Sequence, residues 1–133
     1  MIDLENDVFS NVATILRAAH AGILVTGEYT PKPPNFPAVS IVEADNRVVE
    51  QMRTLNIENA VSVMYEVNVY SNKASGKKAE AKEIAATLDE AFAAMGFTRT
   101  MKNQVPNFND ATIYRIVCRY EAIIDKDLWI YHN

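Results

Sequence analysis

The sequence predicts an α+β two-layer sandwich: a mainly antiparallel sheet of about four to six strands with two helices packed on one face. Two segments place apolar residues at helical spacing, and several others alternate apolar and polar residues as strands do. Short turns separate successive strands, which favours antiparallel pairing. Two amphipathic helices cover one face of such a sheet, so the other face is left to solvent or to another protein.

The first helix is predicted to run from about Leu4 to His20. Its apolar residues recur every three or four positions, Asp3 is the expected N-cap, and Gly22 is the expected stop. A short strand is predicted at Ile23–Tyr29. The domain therefore begins with a helix that leads into the sheet.

A proline-rich connector and a charged excursion interrupt the first half of the chain. Four of the five prolines lie in Pro31–Pro37, which predicts an extended surface loop because proline donates no ladder hydrogen bond. Ala38–Ala44 is predicted as the second strand. Asp45–Asn59 fits neither period and is interpreted as a long excursion that forms a flexible arm.

The second half has the clearest periodicity. Ala60–Ser71 alternates regularly and is predicted as a strand. An alanine-rich helix follows at about Gly76–Met95, with Ser75 as the expected N-cap and Gly96 as its stop. The next strand is predicted at Phe97–Gln104.

A long strand at Ala111–Ile124 is the most informative segment, and Leu128–His132 is predicted to add a short edge strand. The even positions of the long strand are nearly all apolar or aromatic, whereas the odd positions mix aliphatic residues with two arginines and a glutamate. Successive strand residues point to opposite faces. A half-apolar, arginine-bearing second face indicates a surface that another protein covers.

Length and composition are those of one globular domain, residues 1–133. The net charge of −4 disfavours a protein whose task is to grip the DNA backbone, since that task needs a basic surface. No apolar run reaches the roughly 18–20 residues of a membrane span, and the acidic N-terminus does not resemble a signal peptide. The single cysteine excludes an intrachain disulfide, so we expect a soluble protein made in a reducing cytoplasm.

The residues that carry catalysis in other proteins do not form a motif here. The four glycines make no nucleotide-binding pattern, and His20 and His132 lie near no serine or cysteine pattern. Glu43 and Asp45 share a face of a regular strand, but nothing fixes Glu66 beside them as a metal ligand. We therefore expect neither catalytic residues nor a metal or cofactor.

Two further features have structural explanations. Cys118 lies on the apolar face of the long strand and is expected to be a buried, inert thiol. Arg115 and Arg119, with nearby tyrosines, suit a nucleic-acid platform, but the acidic total and the neighbouring glutamates favour ion pairs within the sheet or at an interface.

Four segments resemble a known family of phage proteins. They are YEVNVYSN at Tyr65–Asn72, GFTRT at Gly96–Thr100, PNFND at Pro106–Asp110 and TIYRIVCRYEA at Thr112–Ala122. In these segments, and in the Lys- and Ala-rich helix between the first two, the chain resembles the tail-terminator, or tail-completion, proteins of siphophages and Gram-positive prophages. These proteins are encoded in the head–tail joining region and are often labelled minor capsid protein. The resemblance covers most of the chain, from the first helix to Tyr131.

The resemblance implies an α+β subunit that assembles with itself, typically as a hexameric ring on the head-proximal end of the tail tube. Such a ring stops tube polymerisation and presents a surface to the head–tail connector protein, while DNA passes through it. It is assembled in the host bacterial cytoplasm and becomes part of the virion tail. No cofactor, membrane or specific nucleic-acid site is implied. Two alternatives stay open: a head-completion or connector adaptor, and a small ligand-binding or enzymatic α+β domain.

The resemblance brings no catalytic motif, so the interface is inferred from the surface pattern. The expected interface residues on the strands are Ile113, Arg115, Val117, Arg119, Glu121 and Glu66. Those expected on the arm are Arg47, Met52, Arg53 and Leu55.

Overall fold

The computed structural model describes residues 1–50, 59–107 and 110–131, and it confirms the predicted two-layer α+β sandwich. Its helices are α1 (Glu5–Ala19) and α2 (Lys77–Met95). Its strands are β1 (Leu24–Thr26), β2 (Ala38–Val48), β3 (Ala60–Ser71), β4 (Thr98–Gln104), β5 (Tyr114–Asp125) and β6 (Ile130–Tyr131).

The strands form one sheet in the order β1-β2-β3-β5-β4. The short β6 pairs with the end of β5, on the side where β4 also pairs. All of these pairs are antiparallel except β1 with β2. The two longest strands, β3 and β5, lie next to each other in the middle, so the strongly alternating sequences form the centre of the sheet.

Both helices pack on the same face of the sheet and enclose the main core. Val12 and Leu16 of α1 and Leu88 and Phe92 of α2 are fully buried there. The apolar face of β5 meets them, as its even positions predicted. Because aliphatic and aromatic side chains of both layers interlock, this face contributes most of the hydrophobic stabilisation.

The helix ends differ from the predictions by about one residue. Leu4, not Asp3, occupies the N-cap of α1, although Asp3 Oδ1 still accepts a hydrogen bond of 3.0 Å from the Glu5 backbone N–H. Gly76, not Ser75, caps the start of α2 in a left-handed conformation. Neither helix is long and apolar enough to cross a membrane.

Strand boundaries differ as well: β1 is shorter than the predicted Ile23–Tyr29, and β6 begins two residues after the predicted Leu128. β2 continues beyond Ala44 to Val48 through a bulge between Glu43 and Asp45, so the start of the predicted arm is regular strand. The remainder of that arm, residues 51–58, lies outside the described residues. β5 begins at Tyr114 because Asp110 Oδ1 accepts hydrogen bonds from the backbone N–H and hydroxyl of Thr112, which hold a turn there.

Gly96 ends α2 as predicted, and its surroundings leave little space for a side chain. Its φ is +100°, and a Cβ added there would lie 3.2 Å from Ile130 Cγ2 and 3.4 Å from the Ile130 carbonyl oxygen. Gly96→Ala therefore combines left-handed strain with a tight contact against Ile130, and we expect it to lower the free energy of unfolding by about 2 kcal/mol.

Gly22→Ala is the matched control. Gly22 also has a positive φ, +78°, but nothing lies within 4 Å of the added Cβ. Urea denaturation should show a loss of about 1 kcal/mol for this variant. Equal losses for the two variants would contradict a role for the Ile130 contact.

Candidate interaction surface on the open face of the sheet

The face of the sheet opposite the helices, which we call the open face, carries the interface residues that were predicted on the strands. The pairing register of the strands shows which residues lie on the open face, because residues directly paired across antiparallel strands share a face. From β2 and β3 they are Ala38, Ser40, Val42, Asp45, Arg47, Ser62, Met64, Glu66, Asn68 and Tyr70. From β5 they are Arg115, Val117, Arg119, Glu121 and Ile123.

Loops cover one end of the open face. Ile113 and Tyr70 are buried there in a second, smaller apolar cluster, and Phe36 of the proline-rich loop packs against it. The side-chain N–H of Asn107 donates a 2.9 Å hydrogen bond to the Pro31 carbonyl, which ties the turn before β5 to that loop. Ile113 is thus covered within the subunit rather than presented to a partner.

Arg115 is also engaged inside the subunit. Its Nε–H donates a 2.8 Å hydrogen bond to Oδ1 of Asn68, a side chain that is 1% exposed. Its guanidinium lies 5.6 Å from the ring centroid of Tyr29, at cation–π distance. Val117, paired with Asn68 across the strands, is buried as well. These contacts give Arg115 a structural role at the covered end.

The accessible part of the open face centres on Arg119 and Glu66. The two residues are direct cross-strand partners, and Arg119 Nε lies 3.2 Å from Glu66 Oε2. Their side chains are 43% and 28% exposed, so this ion pair is available to a partner. Glu121 and Ile123, further along β5, are half-buried. The structure brings three predicted interface residues, Arg119, Glu66 and Glu121, together on one surface, and Ile123 lies beside them.

The arm residues divide between described and undescribed parts of the chain. Arg47 lies on β2, where its Nε contacts Asp45 Oδ2 at 2.8 Å, and both side chains are exposed. The predicted contacts Met52, Arg53 and Leu55 lie outside the described residues. Arg47 is therefore the one member of this group with a defined position, next to the open edge of β2.

The cysteine and the first histidine have local structural roles. Cys118 is 1% exposed, and burial raises the pKa of its thiol, which favours the unreactive protonated form. His20 Nε2 lies 2.9 Å from Thr87 Oγ1 and so links the end of α1 to α2. Their contacts assign neither residue to a reacting site.

The acidic residues are grouped differently from the sequence expectation. The bulge in β2 turns Glu43 toward the helix side, opposite Tyr65, and Asp45 toward the open face, opposite Met64. The expectation that Glu43 and Asp45 share a face is therefore wrong, because a bulge breaks the two-residue alternation.

Glu43 instead meets the N-terminal segment. One carboxylate oxygen from each of Asp3, Glu5 and Glu43 lies within 4.8 Å of the others, and we call this group the acidic corner. Glu5 Oε2 accepts a 3.2 Å hydrogen bond from the Glu43 backbone N–H. Burial, together with the charges of Glu5 and Asp3, raises the pKa of Glu43. Sequence reasoning missed this group because it joins residues nearly forty positions apart.

The fold of this chain is similar to that of a known protein. No protein-family model matches the sequence, and no curated protein sequence matches it. Among solved structures, the fold is similar to that of a chain in the "Virion of native gene transfer agent (GTA) particle", with a TM-score of 0.68 and 18% sequence identity. The match covers 92% of this chain and 94% of that chain, so it extends over nearly the whole length of both.

Proposed function

We propose that this chain is a structural protein of a phage-like virion, and that it serves as the tail terminator. In this role it caps the head-proximal end of the tail tube, stops tube polymerisation and joins the tail to the head connector. The observation that carries the proposal is the likeness in fold to a chain of a gene transfer agent virion over almost the full length of both chains.

The sequence resemblance supports the tail-terminator assignment within that class. Its two longest segments, Tyr65–Asn72 and Thr112–Ala122, fall mainly on β3 and β5 at the centre of the sheet. The segment Gly96–Thr100 ends α2 and begins β4. The resemblance thus follows the elements that build the domain, as expected when a protein functions through its shape.

The accessible part of the open face is suited to protein contact. Arg119, Glu66 and Glu121 combine charges of both signs beside the aliphatic Ile123. Arg119 and Glu66 neutralise each other, so the surface keeps the single negative charge of Glu121. We assign this surface to contact with the tail tube or an adjoining copy. Function then depends on complementary shape: one side of an assembled ring binds the tube end, and the other accepts the connector.

Tail-tube assembly tests this proposal. The purified chain is added to polymerising tail-tube subunits of the same particle, and tube lengths and ends are measured by electron microscopy. We expect tubes that stop growing and carry the protein at one end. Binding to the connector with no effect on tube length would instead assign the chain to the head-completion class.

A further inference from the structure

The sheet has two open edges at opposite sides. β4 is the last strand on one side, and among the described residues no strand pairs with its outer edge. On the other side β1 covers only Ala38–Ser40 of β2, so β2 from Ile41 to Val48 has no strand beyond it in the same described part of the chain. Each edge presents backbone groups that another strand can use. On β2 the Glu43 backbone N–H donates a 3.2 Å hydrogen bond to Glu5 Oε2, so the Glu5 carboxylate has to turn away when a neighbouring strand pairs there.

The two edges carry opposite charge on the same side of the sheet. The β2 edge has the acidic corner, formed by Glu43 with Asp3 and Glu5, on its helix side. The β4 edge has Arg99 and Lys102, which pair with Tyr120 and Cys118 and so also point to the helix side.

The partners of these two cations differ. Arg99 lies 3.8 Å from Asp89 at an exposed site, whereas Lys102 has no ion-pair partner among the residues that the structure describes. The acidic corner likewise holds mutually repelling carboxylates, and burial together with this repulsion raises the pKa of Glu43. Each edge therefore has uncompensated charge that the other would neutralise.

We propose that copies of this chain join head-to-tail, with the β4 edge of one copy pairing with the β2 edge of the next. The role of this pairing in a virion rests on the proposed function. The pairing itself follows from the charges and strand directions of the two edges. Pairing of like edges would bring Lys102 against Lys102, or one acidic corner against another. Charged side chains on an edge strand normally prevent another strand from pairing with it. Here they disfavour pairing of two β4 edges or two β2 edges, and they favour pairing of a β4 edge with a β2 edge.

Strand direction agrees with this arrangement. β2 and β5 run one way and β3 and β4 run the other, so β4 is antiparallel to β2 within a copy. If copies are related by rotation about an axis along the strands, β4 of one copy meets β2 of the next in antiparallel orientation. Such head-to-tail contacts close into a ring when the rotation allows it.

Register gives the pairing a specific alignment. Within a copy, Lys102 is level with Cys118, Val67 and Ile41. β1 pairs with β2 as far as Ser40, so β4 of a neighbouring copy has to bind further along β2. A shift of two residues avoids β1. Because the shift is an even number of residues, every side chain stays on its own face of the sheet. That shift sets Lys102 level with Glu43 of the next copy, since Ile41 and Glu43 are two residues apart.

The alignment leaves the open face free. In the extended sheet all helices lie on one side and all open faces on the other. Arg119 and Glu66 therefore take no part in the contacts between neighbouring edges and stay accessible to another partner. The same shift also places Asn103, on the open face, level with Val42 of the next copy.

Disulfide trapping tests the pairing. Asn103→Cys and Val42→Cys are made as separate variants, because directly opposed residues in an antiparallel pair lie about 4.5–5.5 Å apart, within disulfide range. Under mild oxidation a mixture of the two variants should give a linked dimer. Each variant alone should not, and wild type, whose Cys118 is buried, serves as the blank.

Charge variants supply a second readout. Lys102→Glu in the Asn103→Cys variant should lower the yield of mixed dimer about tenfold, and Glu43→Lys in the Val42→Cys variant should restore it. Lys82→Glu, an equal charge change on the exposed side of α2, should leave the yield within about twofold. Raised salt should weaken trapping of the wild-type charge pair.

Two results would overturn the proposal: linked dimers of identical variants, or no mixed dimer either in solution or at tube ends. The same preparation without engineered cysteines is tested for tube termination. A protein that stops tube growth but gives no mixed dimer has the proposed function without this pairing. A mixed dimer without termination has the pairing without the proposed function.

Discussion

Replacing Phe92 by alanine is expected to lower the free energy of unfolding by about 3–5 kcal/mol, the typical cost of deleting a buried aromatic ring. Phe92 is fully buried and contacts three other aromatic rings. It stacks on Tyr120 with centroids 4.3 Å apart and meets Phe97 edge-on at 5.3 Å and Tyr65 at 6.0 Å. Because domains of this size have marginal stability, the variant should be close to unfolding at room temperature.

Phe9→Ala provides the matched control for this loss. Phe9 is a ring of the same size, but it is only partly buried and packs at the margin of the core. Urea denaturation followed by circular dichroism should give a loss at least about 2 kcal/mol smaller than that of Phe92→Ala. Similar losses for the two variants would contradict the central position assigned to the aromatic cluster.

Charge reversal at Arg115 and at Arg119 should have different outcomes, although both arginines lie on the same face of β5. Arg115→Glu removes the donor to buried Asn68 and places a carboxylate beside its oxygen. We expect a loss of about 2 kcal/mol in unfolding free energy. Arg119→Glu breaks an exposed ion pair, which should cost less than about 1 kcal/mol, yet it should weaken assembly because it alters the accessible part of the open face.

The swapped variant Glu66→Arg with Arg119→Glu distinguishes an effect on folding stability from an effect on binding to a partner. It restores an ion pair within the subunit while exchanging the positions of the two charges on the surface. Unfolding free energies from denaturation, with assembly onto tail tubes followed by cosedimentation, decide the roles. A folded Arg115→Glu variant of wild-type stability would contradict the structural role of Arg115. Wild-type assembly by both Arg119→Glu and the swapped variant would remove Arg119 from the interface.

Local sequence pattern was sufficient to predict the layers of the fold. Alternation in Ala60–Ser71 and in most of Ala111–Ile124 identified the two central strands, and apolar spacing identified both helices. These signals are strong because each depends only on neighbours within one element. The buried state of Cys118 followed from the same alternation, since it shares a face with Ile116 and Tyr120.

The features that the sequence did not predict depend on contacts between distant residues. The bulge at Glu43 and Asp45 separates two carboxylates that strict alternation places together. The acidic corner requires the N-terminal segment to lie against β2. Ile113 was expected at an interface, but the proline-rich loop closes over its end of the sheet. Alternation identifies the face of a side chain, but it does not show which loop covers that face.

The most direct test of the tail-terminator proposal is the length of tail tubes grown with increasing amounts of this chain. Substoichiometric protein should shorten the tubes in proportion to its concentration and should appear at one end of each tube. Phe92→Ala, added at a temperature at which circular dichroism shows it to be unfolded and the wild type folded, should have no effect. Tubes of unchanged length, with the folded wild-type chain absent from their ends, would contradict the proposal.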